Sequence, residues 1–257
     1  MTHGSIATAR AGFFLGEWLS DCPDVVSGDA LEQLRQTFQN WVEESRGYSE
    51  NWGETINGKP RYDLEPGHCA DSPRLRRVNA PIEVSKAYFN AMADSTMTDC
   101  VAALIGPDVK LHHTKINSKQ PGGETSVKWH QDFPFTPHSN DSVVTALLMV
   151  DEVTENNGPL EVLAGSHVGP IHGLWHDGKF TGAIDDTIAA QCTPRALTCT
   201  GPAGAVCLMH TRLLHGSKSN QSILSPGLCL YPCIPLTMLY LYHPIRAEPL
   251  RGIDCSG

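Results

Sequence analysis

The apolar pattern of the chain changes at Gly106. From residue 109 to 117 apolar and polar residues fall on two alternating faces, the period of a β-strand. More short apolar runs follow, separated by turn segments such as residues 156–159; the runs are 143–150, 160–163, 205–209 and 213–215. Many short strands bury their apolar faces by forming a sandwich or a barrel. We therefore expect the second half of the chain to be such a β-structure.

The first half of the chain has helical periodicity. Apolar residues between Leu31 and Val42 recur at three- and four-residue steps after Ser27, which favours a capped helix. A second helical region, 82–104, should split near Asp94 and end before the strands begin. Residues 51–77 lack periodicity, so we expect a long irregular excursion there. Residues 169–200 are polar and contain glycines, so we expect a long surface insertion.

These patterns predict an α+β chain that is mainly β, with N-terminal helices packed on a barrel. At 257 residues a single domain is expected. Its parts would be a helical support (27–105), a β-core (107–222) and an atypical tail (223–257).

The charge balance argues against a nucleic-acid partner. The chain has 19 basic and 28 acidic residues, a net charge of −9, which repels a phosphate backbone. Nine cysteines without a CxxC pair favour a reducing compartment, and no signal peptide is evident, so a cytoplasmic location is expected. Residues 219–245 carry no charge and are long enough for a membrane anchor, but Pro226, Pro232 and Pro235 oppose a helix there.

One histidine and one aspartate suggest a metal site. His130 and Asp132 are two residues apart, so on an extended strand both side chains project from one face. A second histidine would complete the set of two histidines and one carboxylate that leaves coordination positions open in non-haem Fe(II) oxygenases. His210 and His215 are the candidates, and His215 is favoured because small residues follow it. Most single histidines are ordinary core or surface residues, so the HxD triplet alone is a weak signal.

Three segments, taken in order, strengthen this interpretation. They are VKWHQDF at 127–133, NNGPLEVLAGSH at 156–167 and LHGSKSNQS at 214–222. Their order and spacing resemble the three blocks of the phytanoyl-CoA dioxygenase family. The resemblance covers roughly residues 27–222.

The resemblance implies a double-stranded β-helix that binds Fe(II) through His130, Asp132 and His215, with 2-oxoglutarate and O2 as cosubstrates. It nominates four further residues for contacts to 2-oxoglutarate: Asn117, Lys119, Thr145 and Ser217. Lys119 could equally be a solvated loop charge, and Thr145 an ordinary strand residue. Asp132 favours hydroxylation over halogenation, because related halogenases have a small residue in its place. The substrate would be a small molecule, and Phe133, Phe135 and His113 are candidates to line its pocket.

The tail departs from the family pattern. The family has an arginine about eleven residues after the distal histidine, where this chain has Pro226. The residues from Ser225 onward can be back-translated into their permitted codons. Translation of such codons in the frame that starts at the third base can give Thr-Arg-Thr-Leu-Phe-Ile-Ser-Val, which looks like the family's continuation. We hypothesise that the reading frame changes between Ser222 and Ser225. The alternative function is then a catalytically silent relative that binds metal or ligand without turnover.

Overall fold

The structure is a computed structural model that describes residues 19–22, 24–93, 95–121, 124–222 and 233–242, with the backbone alone for the first and last segments. The helices within these residues are α1 (Gly28–Ser45), α2 (Lys86–Met92), α3 (Thr96–Ile105) and α4 (Asp186–Cys192). The strands are β1 (Leu19–Cys22), β2 (Trp52–Glu54), β3 (Pro60–Leu64), β4 (Leu75–Asn79), β5 (Lys110–Lys119), β6 (Val127–His130), β7 (Val143–Leu148), β8 (Leu160–Val162), β9 (Trp175–His176), β10 (Lys179–Phe180), β11 (Leu197–Cys199), β12 (Val206–His210), β13 (His215–Ser217) and β14 (Cys233–Tyr242).

Two large antiparallel sheets hold most of the strands in the described residues. The larger has eight strands in the order β1-β12-β7-β14-β5-β4-β3-β2, and the smaller has four in the order β11-β8-β13-β6. Strands β9 and β10 form a separate hairpin. An apolar cluster with members on β7, β12, β8 and β11 packs the two sheets face to face. This arrangement confirms the predicted jelly-roll fold with an α+β, mainly β composition.

Strand β7 is buried on both faces. Val144, Ala146 and Leu148 point to the helical layer, where they share a cluster with Leu34 of α1, while Leu147 points to the smaller sheet. Every residue of β7 is buried, as expected for a strand covered on both sides. The predicted apolar run therefore marks the central layer of the molecule.

The predicted helices are confirmed. The apolar residues of α1 are buried, and Ser27 precedes the helix with extended backbone, although its side chain makes no hydrogen bond to the first turn. The second helical region is split into α2 and α3, and Gly106 ends α3. The expected break at Asp94 lies outside the described residues.

One sequence expectation about loops is wrong. Residues 51–77 are not an irregular excursion, because they hold β2, β3 and most of β4, which extend the larger sheet. Their alternation is weak since the strands are short and a register shift separates Asp63 from Leu64. The insertion expected at residues 169–200 carries the β9–β10 hairpin, α4 and β11.

Part of the tail joins the larger sheet. Strand β14 lies between β7 and β5 and pairs with both. Within the uncharged stretch that was considered as a helical anchor, residues 233–242 therefore form a β-strand. Within the residues that the structure describes, no helix combines the length and apolar character that a membrane span requires. Pro226 lies outside the described residues, and the change of frame stays a hypothesis.

Candidate metal centre

Strand register brings the two predicted histidines together. His130 is the last residue of β6, His215 is the first of β13, and the two are direct antiparallel partners. Their ring centroids are 4.2 Å apart. The expectation that the strand continues through Asp132 is wrong, because Asp132 has helical backbone angles at the start of a short 3-10 turn. The turn still directs its carboxylate towards the two imidazoles.

The three side chains form a compact, buried set. One ligand atom of each lies within 4.8 Å of the others. Asp132 Oδ1 is 3.5 Å from His130 Nε2 and 3.6 Å from His215 Nε2. The side chains of Asp132 and His215 are 4% and 2% exposed. The sequence-predicted ligands thus converge, although they come from parts of the chain more than 80 residues apart.

Hydrogen bonds orient both rings towards the centre of this set. His130 Nδ1 donates to the Lys128 carbonyl (2.8 Å), and His215 Nδ1 donates to the Leu213 carbonyl (2.9 Å). The proton on Nδ1 leaves the lone pair on Nε2 of each ring. In the part of the chain that the structure describes, the buried Nε2 of His215 has no hydrogen-bond partner. A buried acceptor facing a second imidazole and a carboxylate fits a divalent metal.

The surroundings favour the protonation states of metal ligands. Burial lowers the pKa of His215 to about 4, the charge of His130 adds to the shift, and Asp132 opposes it. Burial alone would raise the pKa of Asp132, but His215 and His130 hold it well below its usual range. At neutral pH His215 is therefore a neutral imidazole and Asp132 a carboxylate.

Thr145 lies behind the aspartate. Its Oγ1 donates to Asp132 Oδ2 at 3.2 Å, and the residue is fully buried on β7. Thr145 is not among the residues that line the cavity beside the metal set. It was nominated for a contact to 2-oxoglutarate, but in this position it holds the second oxygen of the carboxylate.

Lys119, Asn117 and Ser217 line one side of that cavity. Lys119 Nζ donates to Ser217 Oγ (2.7 Å), to the Gly158 carbonyl (3.0 Å) and to the Lys218 carbonyl. Only 6% of Lys119 is exposed, so its alternative interpretation as a solvated loop charge is wrong. Asn117 Oδ1 accepts from Arg77 Nε at 3.1 Å.

The cavity has a volume of about 890 Å³, within the usual range for small-ligand sites. His113 and Phe135 line it, as expected, whereas Phe133 does not. His210, the alternative ligand, lies elsewhere: its Nδ1 accepts from the backbone N–H of Arg212 at 3.0 Å, and its ring packs on His167.

Sequence reasoning missed the contribution of β4. Arg77 and Asn79 line the cavity beside the residues of β5, the strand with which β4 pairs. The signal was present in the polar-apolar-polar order of Arg77, Val78 and Asn79 at the end of the strand. It was obscured because the preceding residues do not alternate.

Fold and site together define a double-stranded β-helix protein with two imidazoles and one carboxylate around a metal position. The family model for phytanoyl-CoA dioxygenase matches residues 22–223. The chain belongs to the phytanoyl-CoA dioxygenase family.

The chain is also similar to individual proteins over part of its length. The chain is 35% identical over 167 residues to a probable alpha-ketoglutarate-dependent hypophosphite dioxygenase of Stutzerimonas stutzeri, a match that spans 63% of this chain and 57% of the relative. It is 26% identical to the L-proline trans-4-hydroxylase of Streptomyces griseoviridis, over 80% of this chain and 77% of the relative. The crystal structure of EctD from S. alaskensis with bound Fe superposes with a TM-score of 0.65 at 21% identity, covering 88% of this chain and 73% of that one.

Proposed function

We propose that the protein is an Fe(II)- and 2-oxoglutarate-dependent dioxygenase that hydroxylates a small organic substrate and releases succinate and CO2. The observation that carries the proposal is the set of ligand atoms of His130, Asp132 and His215 within 4.8 Å of one another. Family membership and the names of the hypophosphite and proline relatives support the same chemistry.

The residues in the centre would hold iron through His130 Nε2, His215 Nε2 and Asp132 Oδ1. The chemistry supplied by iron with 2-oxoglutarate is the activation of O2 for oxidation of the substrate. The protein contributes the geometry. The Nδ1 hydrogen bonds fix both rings, and Thr145 holds the outer oxygen of Asp132, so the three ligands are arranged before the metal arrives.

Lys119 and Ser217 are proposed to bind the far carboxylate of 2-oxoglutarate. Both line the cavity, and Lys119 Nζ is held by three oxygen acceptors that fix its position. All three N–H groups of the ammonium are donated to these acceptors, so the carboxylate would accept a hydrogen bond from the Ser217 hydroxyl and lie beside the positive charge of Lys119. This pair would compensate for the proline at the position where the family has arginine.

A measurement of turnover distinguishes the proposed dioxygenase from the alternative, a relative that binds metal or ligand without catalysis. The full chain is reconstituted with Fe(II), ascorbate and 2-oxoglutarate under air, and succinate and O2 are measured together. We expect succinate release matched by O2 uptake, even without the primary substrate, at a slow uncoupled rate. Asp132→Ala should abolish both, whereas Asp141→Ala, which removes a half-exposed carboxylate paired with Arg212, should not. Metal binding without succinate would favour the silent relative.

A further inference from the structure

We propose that Lys115, with Arg77 beside it, forms an anion-binding subsite for the substrate, which is therefore a small molecule that carries a carboxylate or a phosphorus oxyanion. This inference rests on the proposed function and names the substrate class of the same cavity. It also assigns a specificity-determining role to two residues on neighbouring strands.

The register of β4 and β5 places both cations on the cavity face. Asn79 pairs with Lys115, Val78 with Ile116, and Arg77 with Asn117. Val78 and Ile116 are fully buried in the helical layer, so their neighbours along each strand point the opposite way. Arg77 and Lys115 are then diagonal neighbours on one face, close enough for long side chains to share a ligand.

The cavity is positively charged in a protein that is negative overall. Its lining holds five cationic side chains, Lys59, Arg77, Lys115, Lys119 and Lys128, and two carboxylates, Glu83 and Asp132. Glu83 is paired with Arg61 at 2.6 Å, and Asp132 belongs to the metal set. The chain as a whole carries −9. A local excess of positive charge against that background favours an anionic ligand.

Lys115 faces the metal set. Burial lowers the pKa of Lys115, Asp132 opposes the shift, and Arg77 adds to it. An anion held between Lys115 and Arg77 would keep the rest of the substrate close to the metal position, because both cations and the metal set line the same cavity.

Arg77 is itself held in place. Its Nε donates to Asn117 Oδ1 at 3.1 Å, and its Nη1 lies 3.7 Å from Asp63 Oδ2. These contacts fix the guanidinium against the wall of the cavity. A planar donor group so positioned suits the two oxygens of an oxyanion.

The subsite is distinct from the one proposed for 2-oxoglutarate. Lys119 lies four residues further along β5 on the same face, so its Cα is roughly 13 Å from the Cα of Lys115 by the rise of a strand. That separation exceeds the length of a five-carbon dicarboxylate. A single 2-oxoglutarate that reaches the metal and Lys119 therefore leaves Lys115 for another anion.

The test is a calorimetric titration of the protein loaded with Fe(II) and 2-oxoglutarate under argon. The probes are hypophosphite, methylphosphonate and acetate, with acetamide as the neutral counterpart of acetate. We expect at least one anion to bind and acetamide not to bind. Lys115→Met should weaken binding of that anion at least tenfold, and Lys115→Arg should stay within threefold of the wild type. Lys110→Met is the matched control, because Lys110 is an exposed lysine on the same strand.

The inference would be overturned if no anion binds to the loaded wild-type protein, if acetamide binds as tightly as acetate, or if Lys115→Met keeps the wild-type affinity for the anion. Loss of 2-oxoglutarate affinity instead of anion affinity in Lys115→Met would also overturn it, since the cation would then serve the cosubstrate. The proposed function fails separately, if the wild-type protein releases no succinate. Far-ultraviolet circular dichroism of each variant checks folding. Retained anion affinity in Lys115→Arg would show that the positive charge of the side chain, and not its shape, binds the anion.

Discussion

Gly158 lies directly against the side chain of Lys119. The ammonium donates to the Gly158 carbonyl at 3.0 Å, and a Cβ at position 158 would stand 2.7 Å from Lys119 Cδ. Gly158 also has a φ of +83°, a conformation that other residues adopt at a cost. One glycine thus both completes a turn and leaves room for the buried lysine.

Gly158→Ala should weaken 2-oxoglutarate binding. The new methyl would push Lys119 away from Ser217, and we expect at least a tenfold higher Kd for 2-oxoglutarate by calorimetry. Gly178→Ala is the matched control, because Gly178 has a similar φ of +74° but nothing within 4 Å of an added Cβ. It should cost about 1 kcal/mol of stability through backbone strain and leave the Kd unchanged. Equal Kd values for both variants would argue against a role of Lys119 in binding 2-oxoglutarate.

Thr145→Val should weaken metal binding with little change in shape. It removes the hydroxyl that donates to Asp132 Oδ2, and loss of such an outer partner typically lowers metal affinity about 10- to 100-fold. Thr145→Ser keeps the donor and should retain most of the affinity. The measurement is Mn(II) binding followed by calorimetry, with Mn(II) as a stand-in that air does not oxidise. Wild-type affinity in the valine variant would show that the hydrogen bond does not support the ligand.

The choice between two histidines can be tested by metal content. His215→Ala should lose stoichiometric Fe(II), whereas His210→Ala should keep it, because His210 contacts His167 and the Arg212 backbone instead of the metal set. Metal is quantified after anaerobic loading and gel filtration. The opposite pattern would reverse the assignment made from the residues that follow each histidine.

The apoprotein should lose stability as the pH falls from about 6.5 to 4. Burial lowers the pKa of His210 to about 4; Asp141 opposes this shift, while His167 and Arg212 add to it. The unfolded chain then takes up a proton that the folded one does not, so stability present above pH 6.5 is lost on acidification. His210→Asn should remove about 1 to 2 kcal/mol of that loss in unfolding free energy. The free energy of unfolding of the wild type and the variant is measured by urea denaturation from pH 7.5 to 4.5. The two curves of unfolding free energy against pH should run parallel above pH 7 and converge below it. Parallel curves over the whole range would contradict the prediction.

The proposed change of frame can be settled at the DNA level. The family match ends at residue 223, next to the point where the frame is proposed to change. Independent resequencing of the encoding DNA should find an insertion or deletion between the codons of Ser222 and Ser225. Restoring the frame should then raise the affinity for 2-oxoglutarate, because an arginine would join Lys119. An uninterrupted, independently confirmed frame would end this hypothesis.

The metal set could be predicted because the residues next to each ligand in the sequence identify that ligand. His130 and Asp132 are two residues apart, and the blocks around them and around His215 identify the pair and its distant partner. The contact from Thr145 to Asp132 was not predictable, since it depends on how β7 of the larger sheet packs on the segment after β6. Arg77 was missed because β4 has no clear alternation, so its pairing with β5 emerges only in the folded sheet. The burial of Lys119 likewise arises from segments about 40 and 100 residues away.

Thr145 and Ala146 are consecutive residues of β7 that face opposite sides, one towards Asp132 and the other towards the helices. The helical layer and the metal centre are therefore built on the two surfaces of a single strand. By thermodynamic linkage, occupancy of the centre should protect the amides of β7 from hydrogen exchange, and damage to the packing of α1 should lower metal affinity from a distance. Helices that touch no ligand would in this way help to set how tightly the iron is held.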